Sequence, residues 1–149
     1  MSEQHQVEFS KKNRIDNCLV QTVLARIATA DLVTGQPHVV PVWYAWDGES
    51  VWISAFKSTR KVKELQRNPR CSIVIDEARS GTENWGVVLE GEVELVSEPQ
   101  EFLEEMTTRI YIRYLGRDGV MAEDPQSWIK DPENLLIKLT PQKTYSWFS

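Results

Sequence analysis

Hydrophobic and polar residues alternate over several short segments of this chain, a pattern typical of half-buried β-strands. Asp47-Gly48 adds a strong hairpin signal between two of these segments. The alternation predicts strands over 23–30, 38–46, 51–56, 71–76 and 85–96, with closing strands over 135–139 and 144–148.

Other segments have helical spacing instead. Helices are predicted over 13–21, over 58–67 before Asn68-Pro69, and from 98 to about 115, with one more turn over 125–130. Hairpins interrupted by a few helices predict an α+β fold that is mainly β, built around a small antiparallel barrel. Since no repeat or linker interrupts the pattern, we expect a single domain over 1–149.

Charge and composition narrow the function. The 149 residues carry 22 acidic and 17 basic side chains, for a net charge of −5, which argues against nucleic-acid or membrane partners. Cys18 and Cys71 form no CxxC pair, so neither a disulfide framework nor a metal site is expected. Without a signal-peptide pattern or a long apolar run, we expect a cytoplasmic protein.

The candidate chemistry lies at the junction between the third strand and the following helix, Lys57-Ser-Thr-Arg-Lys-Val-Lys63. Ser58 or Thr59 is the expected N-cap. Arg60 and Lys61 then fall in the first turn, where positive charge opposes the helix dipole. A bound phosphate would make this arrangement of charges favourable, because it accepts hydrogen bonds from the free N–H groups and pairs with both cations. The alternative is a solvated basic face.

Aromatic residues and one proline indicate where a flat ligand would lie. Trp43, Trp46, Trp52 and Trp85 are on or beside predicted strands, where they serve as core, interface or ligand-contacting residues. Pro41 cannot donate to a sheet ladder and therefore belongs at an edge or bulge, where a ligand can approach the backbone.

Residues 25–76 resemble the pyridoxamine 5′-phosphate oxidase-like flavin-binding split-barrel family. The resemblance is carried by a strand ending in Ala-Thr, a Gly-x-Pro turn, the apolar Pro-Val-Trp strand, and Thr59-Arg-Lys-Val-Lys-Glu-Leu-Gln-Arg-Asn-Pro-Arg70. It implies a six-stranded antiparallel split β-barrel that forms a homodimer. Two flavin molecules would lie at the subunit interface, and FMN is the first choice of flavin. In it, Arg60 and Lys61 would hold the flavin phosphate, and Ser58 and Thr59 would add hydroxyl contacts.

The same resemblance implies contacts for the rest of the cofactor. The ring and the ribityl chain of the flavin would be contacted, from one subunit or the other, by Val40, Pro41, Val42, Ser54, Ala55, Trp85, Gly86 and Trp147. Among them, the residues of the second strand would line the ring, and Ser54 and Ala55 would lie beneath the ribityl chain. Trp85 and Gly86 would reach the flavin from the other subunit, and Trp147 would cover the site.

One departure from the family pattern limits the expected reaction. Pyridoxamine phosphate oxidases carry an Arg-x-His element near the C-terminus, whereas residues 144–149 contain neither residue, so vitamin B6 oxidation is not expected. The resemblance instead implies an FMN-dependent oxidoreductase acting on an unidentified small molecule through flavin N5. The alternatives are a deazaflavin-dependent reductase and a non-catalytic flavin or haem sensor or stress protein, with His38 as the candidate haem ligand.

No side chain stands out as a general acid or base, so the sequence assigns no catalytic residue. Tyr44, Tyr111 and Tyr114 are candidate proton donors.

Overall fold

Eight strands and four helices make up the computed structural model, which describes residues 2–149 apart from the side chains of 7–9. The helices are α1 (Glu3–Leu19), α2 (Arg60–Arg67), α3 (Gln100–Gly119) and α4 (Glu123–Ile129). The strands are β1 (Ala25–Ala30), β2 (Pro37–Val42), β3 (Tyr44–Trp46), β4 (Val51–Phe56), β5 (Arg70–Glu77), β6 (Trp85–Val96), β7 (Asn134–Leu139) and β8 (Lys143–Phe148).

All strand pairs are antiparallel, in the order β2-β1-β5-β6-β7-β4-β3, with β8 beside β6. The long strand β6 joins the two halves of the sheet: its first part lies between β5 and β8, and its end pairs with β7. The two edge strands, β2 and β3, are separated in sequence only by Trp43. The chain therefore closes the curled sheet into a split barrel, which confirms the predicted fold class.

The strand count is eight rather than six, and the break at Trp43 is one reason. The predicted strand 38–46 is two strands, because Pro37–Val42 pairs with β1 whereas Tyr44–Trp46 pairs with β4 in the other half of the barrel. Its alternation continues across the break, with Val42 and Tyr44 both buried. Sequence periodicity therefore gave no sign that the pairing partner changes.

Two helices differ in extent from the predictions. Helix α1 begins at Glu3 rather than at residue 13, with Ser2 as its N-cap accepting a bond from the His5 amide. Its first turns are largely exposed and lack an apolar stripe, so the pattern did not reveal them. Helix α3 extends to Gly119 instead of ending near residue 115, and it is kinked at Gly116, which adopts a φ of 79° and redirects the chain.

The buried residues form two clusters. One fills the barrel and includes Ile27, Ile53 and Ile73, each with 0% exposure. The other lies between the barrel and α3 and includes Ile110 and Leu136. Burying each such side chain stabilises the fold by about 1.5–3 kcal/mol, and the second cluster fixes α3 across β3, β4 and β7. None of the described helices is long and apolar enough to cross a membrane.

Candidate functional site

A cavity of about 530 Å³ lies between the β2–β4 side of the barrel and helices α3 and α4. It is lined by Leu24, Pro41, Val42, Trp43, Ser54, Ala55, Phe56, Lys61, Tyr111 and Trp128. The fold thus brings together five of the residues expected to contact the cofactor, from β2, β4 and α2. A larger and more polar hollow of about 670 Å³, beside Lys57 and Glu98, contains none of the nominated residues.

Three small side chains, those of Pro41, Ser54 and Ala55, line part of the barrel wall of this cavity. Pro41 lies on the edge strand β2 and is exposed, as expected for a residue without an N–H donor. Ser54 and Ala55 lie on β4, and the Ser54 hydroxyl donates to Asn134 Oδ1 at 3.1 Å. This wall can accept a planar ring against backbone.

The first turn of α2 leaves its amide groups free. Thr59 is the N-cap residue, but its hydroxyl donates to the Phe56 carbonyl oxygen at 2.8 Å instead of capping the helix. Among the described hydrogen bonds, none uses the backbone N–H of Arg60, Lys61 or Val62. Free amides at a helix N-terminus attract anions.

Lys61 extends from this turn into the cavity. Its side chain is half-buried, and this burial lowers the pKa of its ammonium group from the ordinary lysine value. No acidic side chain in the described structure forms a salt bridge with it. An anion bound in the cavity would offset this desolvation.

Arg60 lies on the other side of the same turn. Its Nε donates to Glu64 Oε2 at 3.3 Å, and the buried Glu64 accepts a second bond, 2.7 Å long, from the Thr29 hydroxyl. This threonine bond holds the pKa of Glu64 below its usual range. With Ser58, Arg60 lines a separate hollow of about 400 Å³. The two nominated cations therefore face different hollows in this subunit.

The remaining nominated residues lie away from the cavity. Val40 packs against the barrel core, and Trp85 is itself a core residue at 4% exposure. Gly86 pairs with Trp147, whose indole ring lies so close that a Cβ atom at this glycine would overlap it. In one subunit these residues do not meet Lys61, so their predicted role across an interface stays a prediction.

Sequence reasoning missed an aromatic wall on the helical side of the cavity. The rings of Trp43 and Tyr114 stack with centroids 4.9 Å apart, Trp43 meets Tyr111 edge-on at 5.7 Å, and Tyr111 meets Trp128 edge-on at 6.1 Å. Tyr111 and Trp128 come from α3 and α4, which are distant in sequence from β2 and β4. Only the cluster of aromatic residues in the sequence hinted at such a wall.

The three candidate tyrosines have different surroundings. Tyr44 is fully buried and donates to the Leu19 carbonyl oxygen at 2.7 Å, and burial raises its pKa. Tyr114 donates to the Val23 carbonyl oxygen at 2.8 Å. Tyr111 alone of the three lines the cavity, and burial raises its pKa, so its hydroxyl stays protonated.

Comparisons with known proteins agree with this fold. A conserved hypothetical protein from Mycobacterium tuberculosis is 26% identical, with a TM-score of 0.75 over 99% of this chain and 84% of that one. An F420 reductase is 21% identical, with a TM-score of 0.69 over 87% of this chain and 94% of that one. The haem storage protein HutZ of Vibrio cholerae is 17% identical, with a TM-score of 0.70 over 89% of this chain and 92% of that one. No curated protein matches the sequence significantly.

The split barrel with a cavity beside its edge strands defines the structural class of this protein. A match to a family of sequences then identifies the family. The family described as pyridoxamine 5′-phosphate oxidase matches residues 12–148, almost the whole chain. The chain belongs to this family, as its resemblance over residues 25–76 indicated.

Proposed function

We propose that this chain binds FMN in the 530 Å³ cavity and is an oxidoreductase for a small molecule. The observation that carries the proposal is the half-buried Lys61 without a described acidic partner, which lies next to the free amides of α2 and lines a mainly apolar cavity. A phosphate fits the charged end, and a planar ring fits the rest.

The residues would divide the binding between them. Lys61 and the α2 amides would hold the phosphate, while the Nη groups of Arg60, which the structure leaves without described hydrogen bonds, would add charge from the outer side. Pro41, Val42 and Ala55 would line the ring and exclude water. When bound, the flavin supplies hydride transfer at N5, and the protein supplies binding and orientation.

A homodimer is the second part of the proposal. The outer face of the sheet carries an unbroken row of paired residues across five strands: Pro41, Arg26, Val74, Val88 and Tyr145. On the same face Val39 is 62% exposed, Tyr145 51% and Trp147 50%, so several large apolar side chains of this face are open to water. A second copy packed there would bury them and bring Trp147 to the partner's site.

The cellular setting that fits is the cytoplasm. Both Cys18 and Cys71 are free and buried, as thiols of a protein in a reducing compartment are.

The visible absorption spectrum tests the cofactor assignment. We expect the purified protein, or the protein after FMN addition, to show the two-band spectrum of a bound flavin with one FMN per subunit. Parallel titrations with a deazaflavin and with haem provide the comparison. Tighter binding of the deazaflavin would keep the reductase class and replace the cofactor, whereas haem uptake without flavin binding would favour a sensor or haem-handling role. Failure to bind any of the three would refute the proposed site.

A further inference from the structure

The aromatic wall of the cavity is held rigidly. Trp43 lies between the stacked ring of Tyr114 and the edge-on ring of Tyr111. Tyr114 is fixed in turn, because its hydroxyl donates to the Val23 carbonyl oxygen and accepts a 3.3 Å bond from the Tyr44 amide. These contacts position the inner rings.

Trp128 is the outermost ring of the wall and differs from the others. Its only described aromatic contact is the edge-on one with Tyr111, and it remains 38% exposed while lining the cavity. The backbone beside it is anchored, since Asn134 Nδ2 donates to the Ile129 carbonyl oxygen at 3.2 Å. Helix α4 thus presents a positioned indole with unused surface.

The charge around the cavity is confined to one place. Among the lining residues of this subunit Lys61 is the only ionised side chain, and the other polar side-chain groups are the hydroxyls of Ser54 and Tyr111 and the indole N–H groups of Trp43 and Trp128. In the proposed function, Lys61 binds the cofactor phosphate. A charged ligand near Trp128 would then lose its hydration without gaining a counter-ion, which is costly.

We propose that Trp128 selects the second ligand of this cavity and that it selects planar, conjugated molecules without net charge, which stack on its indole ring. This inference rests on the proposed function, because it assigns Lys61 to the cofactor. Stacking favours flat ligands, whose rings match the indole surface, and the hydroxyls of Ser54 and Tyr111 can bond to a polar substituent.

Binding of three related probes to the FMN-loaded protein tests the inference without requiring turnover. The probes are 2-naphthol, which is planar and uncharged, 2-naphthoate, which is planar and anionic, and decahydro-2-naphthol, which is uncharged but not planar. Calorimetry should show 2-naphthol binding about tenfold tighter than either of the others. Trp128→Ala should weaken 2-naphthol about tenfold, and Trp128→Phe should keep most of the affinity.

FMN affinity, measured by flavin fluorescence in each variant, separates this inference from the proposed function. It should fall by much less than the 2-naphthol affinity does in Trp128→Ala. Met121→Ala is the matched control, because Met121 is exposed, lies just before α4 and does not line the cavity. It should change neither the FMN affinity nor the 2-naphthol affinity. A loss of FMN affinity as large as the loss of 2-naphthol affinity in Trp128→Ala would assign the indole to the cofactor, which would overturn the inference while keeping the proposed function. Equal binding of 2-naphthoate, or no loss of 2-naphthol in Trp128→Ala, would also overturn it. Wild-type protein that binds no FMN would remove both proposals.

Discussion

Replacing Lys61 by methionine removes the ammonium group from the cavity and keeps a side chain of similar length and apolar character. Lys61 is half-buried and has no described acidic partner, so its charge is available to an anion. Arg60→Met is the matched comparison in the same helical turn. That side chain is 54% exposed and already shares its Nε with Glu64.

The magnitudes for the two variants follow from these surroundings. A charge-assisted hydrogen bond in a partly buried site contributes about 1.5–3 kcal/mol, so Lys61→Met should weaken FMN binding roughly 10- to 150-fold. An exposed ion pair contributes about 0–1 kcal/mol, so Arg60→Met should weaken it by less than roughly fivefold. Riboflavin, which lacks the phosphate, should bind the two variants and the wild type equally.

Flavin fluorescence quenching measures all six affinities, and pH adds a second test. The phosphate favours protonated Lys61, so FMN affinity should be highest below the pKa of this group and should fall as the pH rises through it. Because burial lowers that pKa, the fall should begin at a lower pH than an ordinary lysine would give, and Lys61→Met should abolish it. An equal loss for FMN and riboflavin would refute phosphate binding by Lys61, as would a larger effect of Arg60→Met.

Four further predictions concern the fold and the assembly. Asn134→Ala should lower the free energy of unfolding by about 2–4 kcal/mol in urea titrations, because this buried side chain hydrogen-bonds to β4, α3 and the end of α4. Gly86→Ala should displace the Trp147 indole, seen as a change in tryptophan fluorescence, and an unchanged spectrum would contradict the close packing. Val39→Glu should convert a dimer to a monomer in light-scattering measurements and lower FMN retention, and a dimer that persists would argue against this face as the interface. Burial raises the pKa of Cys71 to about 12, so folding favours the protonated thiol. The free energy of unfolding should therefore decline as the pH rises above the ordinary thiol pKa of about 8.5, and this decline should be less steep in Cys71→Ala.

The sequence by itself determined most of the secondary structure and the position of the basic junction. Alternation located strands such as Val51–Phe56 and Trp85–Val96, and Asn68-Pro69 marked the end of α2. These features are local, since side-chain direction in a strand and the backbone limits imposed by proline depend on near neighbours. The motif around residues 25–76 also led to the correct family.

Tertiary structure decided how the site is arranged. Arg60 and Lys61 are adjacent in sequence, yet the packing of α2 turns one towards Glu64 and the other into the cavity. Ser54 and Trp128 meet the same cavity although they are far apart in the chain, because the Asn134 side chain ties β4 to the end of α4. Such long-range contacts depend on which elements pack together, and the pattern of a single sequence does not predict that packing.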